Sequence, residues 1–151
     1  MENTLKTWTR SREIITGIFQ SYSNEELIKI PDGFNNNLLW NMGHILTVNQ
    51  KLIYKATKTP IIIPEELYKR YDTGTVPTVE EDLKNIRLIK ELLPVSFEQS
   101  IYDYKNSKLG TFNPLTTGTG FHLSSVEDAF AFNNYHEALH IGLMLNVKKF
   151  L

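Results

Sequence analysis

The stretch NNLLWNMGHILTVNQKLIYKAT, at residues 36–57, decides the fold of this chain. Its apolar side chains recur every three or four residues, a period that is typical of a helix burying one face. The asparagines at its start suit a helix N-cap, and we predict a helix from about Asn36 to Thr57. The residues of its predicted buried stripe are Leu38, Met42, Ile45, Leu46, Asn49, Leu52, Ile53 and Ala56.

Two more helices are predicted from the same period. One covers residues 4–21, and most of its apolar face is supplied by Leu5, Trp8, Ile15, Ile18 and Phe19. Another covers residues 78–93, where Thr78 and Glu81 have the spacing of a capping box. Pro94 is expected near the end of that helix because proline disrupts a helix interior.

Two long connections separate the predicted helices. Residues 60–77 are interrupted by prolines and are expected to start in an extended conformation, with Tyr68 and Tyr71 packed at the surface. Residues 100–123 lack a helical period and are rich in Gly, Thr and Asn. Within this second connection, a short hairpin or an ordered loop is expected from residues 111–112 and 120–123.

The last predicted helix begins after Ser124 or Ser125, either of which suits an N-cap. Glu127 and Asp128 then lie at the positive end of the helix dipole. Four helices with two long connections predict an all-α fold, a four-helix bundle. The length of 151 residues, without a linker or an internal repeat, predicts one domain over residues 1–151.

The composition argues against several classes of function. With a net charge of −1 and a pI near 6.4, the chain offers no basic surface for nucleic acid or for an anionic membrane. No apolar run approaches the roughly 18 residues of a membrane span, and residues 1–6 lack the pattern of a secretory signal. The chain has no cysteine, which rules out disulfides and cysteine metal ligands. We therefore expect a cytoplasmic protein without nucleic-acid or membrane partners.

The motif most informative about function is His136-Glu137-Ala138-Leu139-His140. Histidines four residues apart on a helix share one face, about 5–6 Å apart at Cβ, so both rings can reach one metal ion. The motif also matches the HExxH pattern of metalloproteases, whose glutamate is the general base. The longer protease patterns are absent, because Leu143 and Asn146 stand where glycine and histidine are needed and no acidic residue follows Glu137. Any third ligand must therefore come from upstream.

The last helix carries polar residues on the face that its apolar residues predict to be buried. A helical wheel places four of them within the core arc: Asn133, His136, Glu137 and His140. Burying polar side chains is costly unless they are hydrogen-bonded or bound to a metal. The cluster therefore favours a metal site over a set of satisfied core histidines.

Two upstream histidines are candidates for the third ligand. His44 lies at the flank of the apolar stripe, a position that suits a ligand and an exposed histidine equally. Gly43 beside it removes a side chain, which would allow a neighbouring helix to approach closely. His122, just before the last helix, is expected to be an ordinary loop residue.

Three segments resemble the DinB-like (DinB/YfiT) superfamily of metal-dependent enzymes. They surround the single histidine of the second helix, the start of the last helix and its H-x-x-x-H motif, at residues 38–45, 123–129 and 134–142. The order of the helices is similar as well, so the resemblance covers nearly the whole chain. It implies that His44, His136 and His140 bind one divalent metal ion, zinc or nickel, inside the bundle. A glutamate is not required in the family's motif, so HExxH is interpreted here as a coincidence of spacing.

The resemblance also implies a function and an assembly. It implies a homodimeric enzyme with a small-molecule substrate, either a hydrolase or a transferase that uses a low-molecular-weight thiol. Three protein ligands with open positions are typical of a catalytic zinc site, where a bound water has a pKa of about 7 and a bound thiol is deprotonated. Glu137 is the candidate catalytic residue, as a general base; alternatively it orients a ligand histidine or faces a neighbouring helix. A non-catalytic metal-binding or sensing bundle is the alternative function.

Overall fold

Four long helices dominate the structure, and all four come from segments with a helical period. The computed structural model describes residues 1–151. In chain order its elements are α1 (Glu2–Ser21), α2 (Asn24–Ile28), α3 (Leu38–Asn49) with a π-helical continuation (Gln50–Lys55), α4 (Glu65–Arg70), α5 (Val79–Lys105), β1 (Leu115–Thr116), β2 (His122–Leu123), α6 (Val126–Val147) and a final 3-10 turn (Lys148–Phe150). Both α1 and α3 pack against α5 and α6. The predicted all-α four-helix bundle is confirmed.

The interior of the bundle contains both apolar and polar layers. Two apolar clusters occupy it, a larger one that includes Ile45 and Ile89 and a smaller one around Trp8 and Phe130. Fully or nearly fully buried polar residues come from all four long helices, among them Arg12, Asn49, Ser100 and Glu137. The polar residues of the interior therefore need partners from within the protein.

None of the helices combines the length and the apolar composition that a membrane span requires.

The helix predicted over residues 36–57 begins as expected and changes its winding near its end. Oδ1 of Asn37 accepts a hydrogen bond from the backbone N–H of Trp40 at 2.7 Å, which caps α3. All of the residues of α3 are buried, so it is the central helix of the bundle. After Asn49 the helix widens into a π-helical segment up to Lys55, a feature that often lies near functional sites.

The prediction that the third long helix ends at about Leu93 is wrong. α5 passes through Pro94 and continues to Lys105. The buried face after the proline is carried by Ser96, Ser100 and Asp103, which keep the helical spacing but are polar. Tertiary packing of this face offsets the hydrogen bond that the proline removes. Phe97, Ile101 and Tyr104 also pack against the smaller apolar cluster, so an apolar helical spacing continues past the proline together with the helix.

The ends of the helices correct three further expectations. Thr78 forms no side-chain cap for α5, and its hydroxyl instead accepts from Nη2 of Arg70 at 3.0 Å. The expected hairpin is present, but β2 pairs with Leu115–Thr116 rather than with residues 111–112. The short helices α2 and α4 were not predicted, although Ser23 and Glu26 form a complete capping box at the start of α2. At α6, Oγ of Ser125 accepts from the N–H of Asp128, so Ser125 is the cap.

The two tyrosines expected at the surface of the first connection are buried. Tyr68 is 5% and Tyr71 0% exposed. The ring of Tyr71 lies directly over Gly43 of α3, where a Cβ atom would come within 2.5–2.8 Å of three ring carbons. The close approach expected at Gly43 is therefore made by a tyrosine ring that follows α4, and not by a neighbouring long helix.

We predict that Gly43→Ala lowers the free energy of unfolding by about 1–3 kcal/mol, since the added methyl overlaps the buried ring of Tyr71. The control is Gly17→Ala in α1, where a Cβ would meet nothing within 4 Å. That variant should gain up to about 1 kcal/mol from helix propensity. Urea denaturation of both variants measures the difference, and equal stability of the two would contradict the packing described here.

Candidate metal centre

Three histidines from two helices meet inside the bundle. His44 of α3 lies opposite His136 and His140, which are one turn apart on α6. Their ring centroids are 4.5–5.2 Å apart, and one nitrogen atom of each lies within 4.8 Å of the others. This is the set that the resemblance to the DinB-like superfamily implied. His122 does not belong to it: it is exposed on β2, with its Nδ1 3.3 Å from Oγ1 of Thr116.

His44 is fixed by a backbone carbonyl and by an aromatic ring. Its Nδ1 lies 2.8 Å from the carbonyl oxygen of Tyr71. A carbonyl can only accept a hydrogen bond, so Nδ1 carries the proton and Nε2 keeps its lone pair. The ring of Trp40 stacks on the imidazole, with centroids 4.8 Å apart and an interplanar angle of 9°. Both the tautomer and the orientation of His44 are therefore set by the protein, as is usual for metal-ligating histidines.

His140 is fixed in the same way by an amide side chain. Its Nδ1 lies 2.7 Å from Oδ1 of Asn41. The amide nitrogen of Asn41 donates to the carbonyl oxygen of Asn37 at 2.7 Å and to Oδ1 of Asn36 at 3.1 Å. These two bonds turn the amide oxygen towards the histidine. Nδ1 of His140 is thus the donor, and its Nε2 also keeps a free lone pair.

His136 is the least constrained of the three histidines. It is half-buried, whereas His44 and His140 are 6% and 9% exposed. Its Nδ1 is buried and has no hydrogen-bond partner in the protein. A buried nitrogen without a partner is costly, and coordination to an ion at this position would remove that cost.

Burial keeps all three imidazoles neutral. Desolvation lowers the pKa of His136 to about 4, with a smaller contribution from His44. Desolvation and the two neighbouring histidines lower the pKa of His140 to about 3. Burial also lowers the pKa of His44, opposed in part by its bond to the Tyr71 carbonyl. Neutral imidazole is the form that binds metals, so three neutral rings fit a divalent ion such as zinc or nickel.

A buried carboxylate holds Tyr71 in place from the side opposite His44. The phenol of Tyr71 donates to Oδ1 of Asp82 at 3.0 Å, and Nδ2 of Asn37 donates to Oδ2 at 2.8 Å. Asp82 is fully buried, and this burial raises its pKa, although the two hydrogen bonds act in the opposite direction. Tyr71 is therefore anchored at its phenol and at its carbonyl. The carbonyl that orients His44 cannot shift without disturbing the start of α5.

Glu137 lies between His136 and His140 in the sequence, and its side chain faces α1. Its Oε1 accepts from Nε1 of Trp8 at 2.7 Å, from Nδ2 of Asn133 at 2.9 Å, and from Nε and Nη2 of Arg12 at 3.1 and 2.7 Å. Glu137 is 0% and Arg12 5% exposed. Of the three roles expected for Glu137, these contacts are those of a side chain that faces a neighbouring helix. Its role as a general base remains a prediction.

The family of the chain follows from a comparison over nearly its whole length. The chain matches the DinB superfamily over residues 7–144. It belongs to the DinB superfamily. Among curated proteins there is no significant match. Membership of the DinB superfamily and the buried histidine cluster together fit a metal-binding helical protein.

The sequence reasoning found the three histidines of this DinB member but missed the residues that orient them. Asn41 is three residues before His44 and therefore lies on the same face of α3, so the spacing could have indicated a polar side chain close to the histidines. Tyr71 acts through its backbone carbonyl, which leaves no pattern in the sequence. Arg12 interrupts the apolar face of α1, and a buried partner for Glu137 could have been sought there.

We predict that Glu137→Gln lowers the free energy of unfolding by about 3 kcal/mol, because it leaves the buried guanidinium of Arg12 without a countercharge. The matched control is Glu91→Gln, which breaks an exposed pair with Arg87 at 2.9 Å and should leave stability unchanged. Urea denaturation compares the two. Equal effects of the two variants would mean that the pair with Arg12 is not desolvated. Adding Arg12→Met to Glu137→Gln should restore part of the lost free energy of unfolding.

We also predict that the metal-free protein loses stability as the pH falls from about 6.5 to 4.5. The unfolded chain takes up protons near its ordinary histidine pKa, whereas folded His136 and His140 do not, so unfolding is favoured by acid. The expected loss is on the order of 2–4 kcal/mol, measured by urea denaturation with a chelator present. The double variant His136→Asn and His140→Asn should flatten this slope, and His122→Asn should keep it. Identical slopes in all three proteins would contradict the burial of the cluster.

Proposed function

We propose that this DinB superfamily member is a metal-dependent enzyme in which His44, His136 and His140 hold one divalent ion, zinc or nickel. The observation that carries the proposal is the convergence of three neutral imidazoles, two of them with Nε2 left free by defined partners of Nδ1. Three ligands from the protein leave coordination positions open, as in catalytic sites. A structural site would instead have its coordination sphere filled by the protein.

The reaction class proposed is hydrolysis, or transfer to a low-molecular-weight thiol, with a small molecule as the substrate. A divalent ion in such a site polarises a substrate oxygen and favours the deprotonated form of a bound water or thiol. The chain has no cysteine, so any thiol must be a co-substrate. His136 is the most exposed of the three histidines, so we expect a substrate to approach from its side. Trp40 and the Tyr71 carbonyl keep the ring of His44 in its orientation while the substrate approaches.

The surroundings of Glu137 argue against a peptidase of the HExxH type. In such an enzyme the glutamate must reach the water that attacks the peptide bond. Here the carboxylate is fully buried against α1, with four donor atoms from Trp8, Arg12 and Asn133 around Oε1, and Oε2 is buried as well. We propose that Glu137 sets the rotation of α6 against α1, and thereby aims His136 and His140 at α3. A homodimer, implied by the resemblance to the family, and a cytoplasmic location, expected from the composition, remain predictions.

The experiment that tests the metal site is metal analysis of the purified protein and its variants. We expect about one zinc or nickel ion per chain, and replacement of His44, His136 or His140 by Ala should remove it. His122→Ala is the matched control and should keep the full content. Metal retained in His44→Ala but lost in His122→Ala would show that the third ligand is His122.

Catalysis is tested separately from metal content. Hydrolysis of an ester panel, or conjugation of a thiol panel, should follow the metal content as chelator and metal are added in turn. Full metal content without turnover of any panel member would favour the alternative function, a non-catalytic metal-binding or sensing bundle. Chelator-sensitive cleavage of unfolded protein that is lost in Glu137→Gln would instead identify a peptidase.

A further inference from the structure

An exposed cluster of aromatic side chains lies beside the proposed metal centre. Phe121, Phe132 and Tyr135 contact one another, with ring centroids 5.2–5.7 Å apart. Phe121 is 47% and Tyr135 44% exposed. We call these three residues the aromatic platform. Exposed apolar groups that are gathered in one place, rather than scattered, mark binding sites.

The backbone of Phe121, whose ring lies against Phe132 and Tyr135 of α6, is fixed by the turn between β1 and β2. The backbone N–H of Thr117 donates to the carbonyl oxygen of Phe121 at 2.9 Å, and Oγ1 of Thr117 accepts from the N–H of Phe121 at 3.1 Å. Gly120 in the same turn has a φ of +88°, which favours glycine. The turn therefore orders the backbone of Phe121 before a ligand binds, which lowers the entropic cost of binding.

The platform adjoins the accessible side of the metal centre. The ring centroids of Phe132 and His136 are 6.5 Å apart, and His136 is the most exposed of the three clustered histidines. Leu139 and Leu143 continue the same outward face of α6, and each is nearly half exposed. A molecule that reaches the metal centre past His136 therefore meets an apolar wall on α6.

A cavity at the platform has the size of a small ligand. Its volume is about 320 Å³, and it is lined by the three platform residues together with His122, Leu123, Asp128 and Ala131. This lies at the lower end of the range for small-molecule pockets, about 300–1,000 Å³. A concave space of this size accommodates one ring system with its substituents. A flat protein partner would leave it unfilled, so the cavity favours a small molecule over a second copy of the chain.

We propose that the aromatic platform binds an aromatic group of the substrate while the reacting group of the same molecule lies at the metal centre. This inference rests on the proposed function and names its substrate class. The substrates are small molecules with an aromatic ring close to a metal-binding or hydrolysable group. Phe121 and Tyr135 then determine specificity and take no part in the chemistry.

The test compares two hydroxamates that bind metals through the same group. Isothermal titration of the zinc-loaded protein should show 2-naphthohydroxamate binding at least about tenfold more tightly than acetohydroxamate, because only the former places rings on the platform. Phe121→Ala and Tyr135→Ala should each reduce this ratio and leave the affinity for acetohydroxamate unchanged. Tyr102→Ala, which removes an equally exposed ring on α5, is the control and should keep the ratio.

A second measurement needs no metal. In the metal-free protein, 2-naphthol should shift the NMR signals of the rings of Phe121 and Tyr135, and the Ala variants should bind it more weakly.

The possible failures can be told apart. If acetohydroxamate binds but the ratio is the same in wild type and the Ala variants, the platform proposal is wrong and the metal centre stands. If neither hydroxamate binds, the proposed function fails and the substrate class fails with it. If Tyr135→Ala turns a dimer into a monomer in sedimentation velocity and leaves the ratio unchanged, the platform is a contact with a second copy, and the proposal is overturned.

Discussion

The structure depends on one constraint: polar side chains buried inside the helical bundle no longer contact water. Each buried donor or acceptor must find a partner within the protein or remain at a cost. The arrangements around Asp82 and Glu137 are two solutions, each joining residues far apart in the sequence. The histidine cluster is a third solution, and it is incomplete, since Nδ1 of His136 has no partner; around Glu137, too, Oε2 is buried without one. The site proposed for a metal is thus one of the places where the protein alone does not satisfy its interior, and the one where three neutral imidazoles converge.

The contacts around Asp82 and Glu137 fix the histidines from opposite sides. Asp82 acts on α3 through Tyr71, whose carbonyl oxygen accepts from His44. Glu137 acts on α6 through its ion pair with Arg12 of α1. The facing positions of His44 and His136 therefore depend on contacts with three other parts of the chain. In a bundle whose helices can rotate and slide against one another, such contacts make the geometry of a site reproducible.

The sequence predicted the features that repeat along a helix and missed those that depend on one contact in space. The period of apolar residues located the four long helices, and the spacing of His136 and His140 located the site. The prediction failed in α5 because proline usually disrupts a helix and Pro94 does not, although Phe97, Ile101 and Tyr104 continue the apolar spacing beyond it. The buried polar residues of this part of α5 become recognisable only when their hydrogen-bond partners are known. Asp103, for example, accepts from the hydroxyl of Tyr54 at 2.8 Å.

The double anchoring of Tyr71 has a consequence for local opening motions. Its carbonyl bonds to His44, its phenol to Asp82, and its ring covers Gly43, so that the segment after α4 cannot lift off while these contacts persist. Release of His44 and exposure of the amides in this segment to solvent exchange are then parts of one cooperative opening. A ligand that binds only the closed arrangement slows that opening. The rate of amide exchange in a connection between helices thereby reports on the occupancy of a site in the bundle interior.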